Sequence, residues 1–356
     1  MSLPLTAGKK SESRSGRRDL RGLTRETNRF AAIPASSSRL VADALADSLA
    51  ALPPSLHEPA RFHFAKPGKL LRGQLAVTSA LALGWHESQA LAWATSVELL
   101  HNASLIHDDI CDRDLNRRGQ ESVLRRYGEA VALCLGDYLI ARAFAKAAEA
   151  HPQLTVLVSQ AMGTLAGGQA AEFTTVGYPG LQAYTRIAIA KTAPLLSLAV
   201  TGSLALAGQQ ESCRAVDHYF GQAALCFQII NDLNNFSGDD GANNPCSDLA
   251  NCRPNAVISC FRDSLPEQQC CLFELWAERI RSGSLIADTV ETRAWWHSIR
   301  ESGAFTATAD FLQDCHAEAG VALLALDETL QSTLQPMHAW LQQQLSRQNA
   351  VRRQPE

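Results

Sequence analysis

The sequence predicts an all-α fold, an antiparallel bundle of long helices around an apolar interior. From about Ser37 onward, apolar residues recur every three or four positions, the spacing of a helix with one buried face. Alternating β-branched runs bounded by hairpin turns, the mark of strands, are nearly absent. The helical stretches are separated by Pro and Gly punctuation such as Pro53-Pro54 and Gly84. No segment recurs at a period of roughly 20–50 residues, which argues against a solenoid.

Taken in order, residues 1–35 are rich in Ser, Gly, Arg and Lys and lack apolar periodicity, so a disordered basic tail is expected there. Glu12, Asp19 and Glu26 count against an organelle transit peptide, which avoids acids. A helical domain is expected over 36–345, with a polar tail over 346–356. Its first helix is Leu40–Leu52, stopped by Pro53-Pro54. Lys69–Leu83 follows, closed by Gly84. Then come Gln89–Ile110, Ala130–Ala150, Gln153–Phe173, Leu181–Gly208 and Arg214–Phe236, and helical text resumes near Pro266.

Composition narrows the function. Apolar residues make up 46% of the 356 positions and the net charge is −4, as in an ordinary soluble globular chain. No basic excess or aromatic platform points to a nucleic-acid partner. No uninterrupted apolar stretch reaches the roughly 18 residues of a membrane span. Ten cysteines are present, but no apolar secretory segment opens the chain and no CxxC pair occurs. The expectation is a reduced, cytoplasmic protein without a zinc site, with Cys134 and Cys226 acting as small core hydrophobes.

The informative residues are polar intrusions into apolar helices. Asp108, Asp109 and Asp112 end the run LLHNASLI, with Asp108 and Asp112 four apart on one face. Three such carboxylates repel unless a cation lies between them. Hard oxygen ligands with room to spare suit Mg²⁺, which keeps waters and bridges to phosphates. A hairpin-like Asn116-Arg117-Arg118-Gly119 then adds two guanidinium groups matched to phosphate oxygens. The plain alternative is a solvated acidic helix end. Lys69 and Arg72 lie three apart at an expected helix start, either an anion site or a pair of snorkelling surface cations. His101 precedes the carboxylates by two turns, as a phosphate ligand or a satisfied core histidine. Lys191 interrupts an apolar helix and needs an anionic partner or a cavity. Gln169 and Gln228 are similar intrusions that core amide hydrogen bonds would also explain. In CFQIINDLNNFSGDD, Asn231, Asn235 and Asp239 share a face if the helix continues past Phe236, with Asp232 beside the first. Ser237-Gly238 as a helix stop would remove Asp239 from that face, and a polar helix end running into a loop is the alternative.

These positions together resemble the trans-isoprenyl diphosphate synthase (polyprenyl synthetase) family. The carriers are GKLLR at 68–72, ELLHNASLIHDDICD at 98–112, RRG at 117–119, GD at 136–137, GGQAAEF at 167–173, KTA at 191–193 and FQIIND at 227–232. The resemblance covers roughly residues 60–330. It implies a helical bundle with a deep cavity whose two Asp-rich motifs face each other across the mouth. Three Mg²⁺ ions between them would hold an allylic prenyl diphosphate. Its ionisation would give a cation that the double bond of isopentenyl diphosphate attacks. On this resemblance Asp108, Asp109 and Asp112 ligate metal, and Arg117 and Lys191 contact the allylic diphosphate. Lys69, Arg72, His101 and Arg118 hold isopentenyl diphosphate, and Gln228 lies near the allylic group. Ala103 and Ser104, small and just ahead of the first motif, imply an open cavity floor with room for fifteen carbons or more. A homodimer is the family's usual state.

The second motif departs from the family pattern, which is FQxxDDxxD followed by a loop lysine. Here the chain reads Asn231-Asp232-Leu233-Asn234-Asn235, and the loop GDDGANNPCSD holds no lysine. Three readings follow. One is an elongating prenyltransferase whose remaining metal ligands are Asn231, Asp232 and Asn235. Another is a terpene cyclase that uses Asn231, Asn235 and Asp239 like a class I Asn-Ser/Thr-Glu triad, or a prenyltransferase acting on a non-isoprenoid acceptor such as an indole. The last is a non-catalytic partner subunit of an active synthase. Lys69, Arg72 and His101 have no use in a dedicated cyclase and favour elongation, whereas the altered motif favours cyclisation or a new acceptor. The complete first set of charged residues disfavours the subunit.

Overall fold

The structure, a computed structural model, describes residues 35–66, 68–237, 247–284 and 289–352. All but the last residue of the tail expected over 1–35, and the candidate ligand Asp239, lie outside these residues. The apolar periodicity resolves into α1 (Ala35–Leu49), α2 (Pro54–Phe64), α3 (Leu71–Ala82) and α4 (Glu87–Asp112). A two-stranded hairpin of β1 (Asn116–Arg117) and β2 (Gln120–Glu121) follows. After it come α5 (Val123–Tyr127), α6 (Glu129–Ala150), α7 (Leu154–Thr174), α8 (Leu181–Leu206) and α9 (Gln210–Ser237). The remainder is α10 (Ser247–Ala250), α11 (Ala256–Ser264), α12 (Glu267–Arg281), α13 (Val290–Glu301), α14 (Ala304–Leu324) and α15 (Glu328–Arg352).

Several boundaries differ from those expected, each for a local reason. Pro53-Pro54 does stop one helix, but Pro54 then begins α2, because a proline costs a helix nothing in its first turn. The helix expected from Lys69 begins instead at Leu71. Gly68 (φ 76°) and Leu70 (φ 49°) both adopt left-handed backbone, so Lys69 sits in a turn and does not share a helix face with Arg72. The nine-residue α11 has too short a pattern to register as periodic. Its start is fixed by the Asn255 side chain, which accepts the N–H groups of Val257 and Ile258. At the other end, α15 runs on through Arg352, past the boundary expected at 345.

The core is a stack of long helices. α4 packs along α6, α3 bridges α4 and α8, α8 lies between α7 and α9, and α14 joins α9 to α15. Among the described residues α8 alone is long and apolar enough to cross a membrane by length and composition, and 67% of that stretch is buried inside the fold. At the centre, Trp93 of α4 is fully buried and donates its indole N–H to the Ala199 carbonyl of α8 at 3.1 Å. Burying roughly 150–250 Å² of indole at about 25 cal/mol per Å² contributes on the order of 4–6 kcal/mol. The approach depends on Gly202, where an added Cβ would lie 2.2 Å from the Trp93 ring.

Gly202→Ala therefore overpacks the α4–α8 contact and should destabilise the chain by about 1–3 kcal/mol. The urea-unfolding midpoint measures this, and an unchanged midpoint would mean that Trp93 is not held against α8.

Candidate functional site

The last turns of α4 carry the acidic cluster, and their backbone ends sharply at Arg113 (φ 55°), whose N–H returns to the Asp109 and Ile110 carbonyls. Asp108 and Asp112 are half-buried, whereas Asp109 is 1% exposed. Burial raises all three carboxyl groups above the ordinary aspartate range, Asp109 and Asp112 to about 6. Nearby cations oppose the rise: Lys191 at Asp108, Arg117 at Asp109 and Arg253 at Asp112.

The hairpin sets the two arginines apart. Arg118 (φ 53°) and Gly119 (φ 68°) form its two-residue turn, both in left-handed backbone as a type I′ turn requires. Arg117, on one side, donates through Nε to Asp109 Oδ1 at 2.8 Å and through Nη2 to the same oxygen. Asp109 Oδ2 is buried with no partner. Arg118 turns the other way and donates Nη1 to the Lys66 carbonyl at 2.7 Å, packed close over Gly68. Arg117 and Asp109 thus neutralise each other, whereas both were expected to face ligand.

A basic cluster gathers around His101, about two turns back along α4 from Asp108. Arg72 Nη1 is 3.2 Å from His101 Nε2, and the Arg72 Nε is buried without a partner. Burial lowers Arg72 to about 10 despite the nearby Glu98 carboxylate. Burial, with Arg72 and Arg118 close by, pushes His101 well below its ordinary range, so the ring is neutral at pH 7. The expected anion-binding N–H groups at the start of α3 are in part already used. Gly73 N–H donates to Glu98 Oε1 at 2.8 Å, a buried carboxylate that sequence reasoning did not single out. His63 and Asn102 form a further buried pair at 2.9 Å behind His101. Lys69 is exposed, with its ammonium 5.3 Å from the centre of the Trp340 ring on α15.

On the facing helices, Lys191 has the anionic partner that its burial demanded. It is ion-paired with Glu172 of α7. Burial lowers the Lys191 ammonium's affinity for its proton, but Glu172, Asp108 and Asp112 carry it above the usual range. Gly168 allows the pairing, because an added Cβ there would meet Ala190 and the Lys191 backbone N at 2.7 and 2.9 Å. Glu172, Lys191, Thr192 and Gln228 line one small cavity of about 50 Å³ with Tyr184 and Pro254.

The second motif behaves differently from the first. Asp232 is buried and fully engaged: it accepts from the Tyr184 hydroxyl at 2.6 Å, Gln228 Nε2 at 2.9 Å and the Ala256 N–H at 2.8 Å. Burial, with Asp248 adding repulsion, raises it to about 7. Asn235 donates to the Ser247 hydroxyl at 2.9 Å and accepts the Asp248 N–H at 3.4 Å, tying α9 to α10. Asn231 alone of the described members is exposed. Asp232 and Asn235 thus hold the fold together at this point; α9 is described to Ser237, and Asp239 lies outside the described residues. The loop contains no lysine, but Arg253 beyond it reaches the first motif. It donates to the Asp112 carbonyl at 2.7 Å and to Asp114 Oδ1 at 2.9 Å. No sequence signal marked Arg253, since its partners lie more than a hundred residues away.

Asp108 and Asp112 fit a hard divalent cation. They are adjacent, half-buried carboxyl groups pushed upward by burial, the state that a bound cation reverses. Among the described residues no three His, Cys, Asp or Glu side chains converge on one point. Mg²⁺ is ordinarily held by one or two carboxylates plus water and phosphate oxygens. Of the residues expected at the cavity floor, Ala103 is fully buried, and Ser104 is half-buried and donates its hydroxyl to the His101 carbonyl at 2.8 Å. A cavity of about 510 Å³ lies elsewhere, between α7, α8 and α9, walled by residues such as Leu157, Ala161, Pro194 and Leu198.

A family model described as polyprenyl synthetase matches residues 53–292. Octaprenyl diphosphate synthase of Haemophilus influenzae is 31% identical over 197 residues, 54% of this chain and 60% of that protein. The Escherichia coli octaprenyl diphosphate synthase is 30% identical over 209 residues, 56% of this chain and 64% of that one. The matched region thus spans less than two thirds of either relative. Among solved structures, a decaprenyl diphosphate synthase from Rhodobacter capsulatus superposes with a TM-score of 0.77 at 21% identity, covering 90% of this chain and 99% of the other. A geranylgeranyl pyrophosphate synthetase from Pyrococcus horikoshii gives 0.75 at 22%, over 90% and 99%. Both share this all-helical fold.

The Asp232 network carries a pH signature. With its folded-state pKa near 7, Asp232 holds its proton more tightly in the folded chain than in the unfolded one. Its contribution to stability is complete below about pH 4 and is lost as pH rises through about 7. Between pH 5 and pH 8 the chain should lose on the order of 2–3 kcal/mol that Asp232→Asn does not lose. Urea titrations at the two pH values measure the difference, and equal losses would assign the titration to another group.

Proposed function

The chain belongs to the polyprenyl synthetase family, and from that premise we propose that it is a Mg²⁺-dependent prenyltransferase joining an allylic prenyl diphosphate to isopentenyl diphosphate. The observation that carries this reading is the separation of charge along α4. Carboxyl groups suited to a metal–diphosphate complex end the helix, and a cluster suited to a second diphosphate gathers about two turns before Asp108, with His101 from α4, Arg72 from α3 and Arg118 from the hairpin. A cyclase would need only the first of these. Relatives bearing the names octaprenyl, geranylgeranyl and farnesyl diphosphate synthase support the same class of reaction.

In this reading Asp108 and Asp112 hold the metal ions, three of them as the family resemblance implies, and Lys191 faces the allylic diphosphate beside them. Magnesium, when bound, supplies positive charge to the diphosphate as the allylic C–O bond breaks and the electron pair departs with oxygen. Lys191 adds a fixed cation that needs no reorganisation at that moment. Arg72 and Arg118 hold the isopentenyl diphosphate so that its double bond meets the allylic cation, and loss of a proton leaves a chain five carbons longer. His101, neutral, accepts or donates a hydrogen bond there. The buried apolar walls of α4 and α8 keep water from the cation.

A second reading keeps the fold and the allylic site but changes the acceptor. It is favoured by the second motif, where Asn231 is the exposed member and Asp232 and Asn235 are engaged within the protein. Intramolecular capture of the cation, or transfer to a non-isoprenoid acceptor, would follow from weaker metal binding on that wall. We further propose a homodimer formed through α6 and α7. Leu133 (49% exposed), Val156 (58%) and Phe173 (54%) present apolar side chains there, more than a solvated surface favours.

Purified protein incubated with Mg²⁺ and geranyl, farnesyl or geranylgeranyl diphosphate, with and without isopentenyl diphosphate, tests the readings by mass spectrometry. A longer diphosphate that appears only with isopentenyl diphosphate is expected. A hydrocarbon or alcohol formed without it would replace elongation by cyclisation. No turnover, together with tight association with an active synthase, would make the chain a partner subunit. Asp108→Ala should reduce turnover by at least about a hundredfold, and full activity in that variant would place the metal elsewhere.

A further inference from the structure

We propose that His107, seated in a notch at Gly136 of α6, is a positioning residue for the metal-binding carboxyl groups. It holds the last turn of α4 in the rotation that presents Asp108 and Asp112 to a ligand. The inference rests on the assignment of those two residues to metal.

The pair Gly136-Asp137 is among the positions that carry the family resemblance, and the proposed reaction gives it no task. The structure supplies one. The His107 imidazole lies directly over Gly136, where an added Cβ would come within 2.2 Å of Nε2 and 2.4 Å of Cδ2. Only the missing side chain leaves room for the ring. The same Nε2 is 3.5 Å from the Leu133 carbonyl and 3.6 Å from Asp137 Oδ1, both on α6. His107 thus locks the end of α4 to the helix that packs along it.

The need for a brace comes from where the carboxyl groups stand. They occupy the last turns of α4, whose final carbonyl groups have no further turn to bond to, and whose backbone reverses at Arg113. Helix ends of this kind open readily. Successive residues lie about 100° apart around a helix axis, so Asp112 is within about 40° of Asp108. His101, two turns back, is within about 20° of it, and the three share one face. His107 stands about 100° to one side of Asp108 and Asp109 about 100° to the other. Asp109 is held by Arg117 and His107 by α6. The helix end is therefore gripped on both flanks of its ligand face, and neither grip uses Asp108 or Asp112. Binding groups have to stand within roughly 0.5 Å or 10–20° of their working geometry. A single grip would let the turn roll about it.

Titration of Mn²⁺ into the full chain, followed by the electron paramagnetic resonance of the free ion, tests the proposal together with steady-state kinetics. His107→Ala should raise the Kd for Mn²⁺ about tenfold and lower kcat, with the KM for isopentenyl diphosphate in place. His107→Gln, which still fills the notch, should recover most of the loss. Gly136→Ala should displace the ring and weaken Mn²⁺ binding likewise. Added to His107→Ala it should be nearly silent, because it acts only through the ring. An unchanged Kd in His107→Ala would overturn the proposal, as would a Gly136→Ala loss that persists in full without the ring. A rise in the KM for isopentenyl diphosphate equal to the rise in Kd would do the same. The outcome is separable from that of the elongation reading. A wild-type chain that binds Mn²⁺ but turns no substrate over defeats elongation and leaves the Kd comparison decisive. A wild-type chain that binds no Mn²⁺ defeats the metal assignment and this proposal with it.

Discussion

The ion pair between Asp109 and Arg117 fixes the geometry on which the rest of the site depends. It clamps the hairpin against the end of α4 and points Arg118, one residue on, in the opposite direction. A buried pair of this kind is costly to break, about 3–5 kcal/mol when one partner is removed, because the other charge is stranded. Its structural consequence exceeds its net contribution to stability. Two consecutive arginines are sorted to two places: one spent inside the protein, the other sent to the basic cluster.

The sorting leaves charge unsatisfied on both sides. Asp108 and Asp112 are held above the ordinary carboxyl range, and Arg72 below the ordinary guanidinium range, in each case mainly by burial. Groups in that state gain most from a counter-charge brought by a ligand, and perturbed groups gathered in this way are characteristic of functional sites. The protein offsets them only in part from within: Glu98 stands close to Arg72, Lys191 to Asp108 and Asp112, and Arg253 to Asp112. That partial offset lets these groups be buried within the fold, and what is left over is available for binding.

How much of this could be read from the sequence follows from the range of each interaction. The long helices were legible because three-residue and four-residue spacing is local, and so was the hairpin, whose Arg118-Gly119 turn needs left-handed backbone. Lys191 was legible as a buried cation in search of an anion, and Glu172 is that anion. Lys69 was misplaced because the left-handed conformation of Leu70, a residue that rarely adopts it, leaves no trace in composition. Asp232 and Asn235 stand out as candidate ligands because of their spacing, but the bonds they make within the protein were not legible. Their partners Tyr184, Ala256, Ser247 and Asp248 come from other elements, and periodicity says nothing of these. Glu98 and Arg253 escaped for the same reason.

One consequence of α4 concerns length. His101 and Asp108 are seven residues apart on a single unbroken 26-residue helix. At 1.5 Å of rise per residue the two positions are separated by about 10 Å along the axis, and two turns bring them back to nearly the same face. The helix therefore works as a ruler. In the proposed reading, the backbone hydrogen bonds of α4 would set how far His101 stands from the metal-binding carboxyl groups, while Arg72 and Arg118 reach the same cluster from α3 and the hairpin. On that reading, changes elsewhere in the fold would alter which hydrocarbon is accepted while the distance from His101 to Asp108 stays the same.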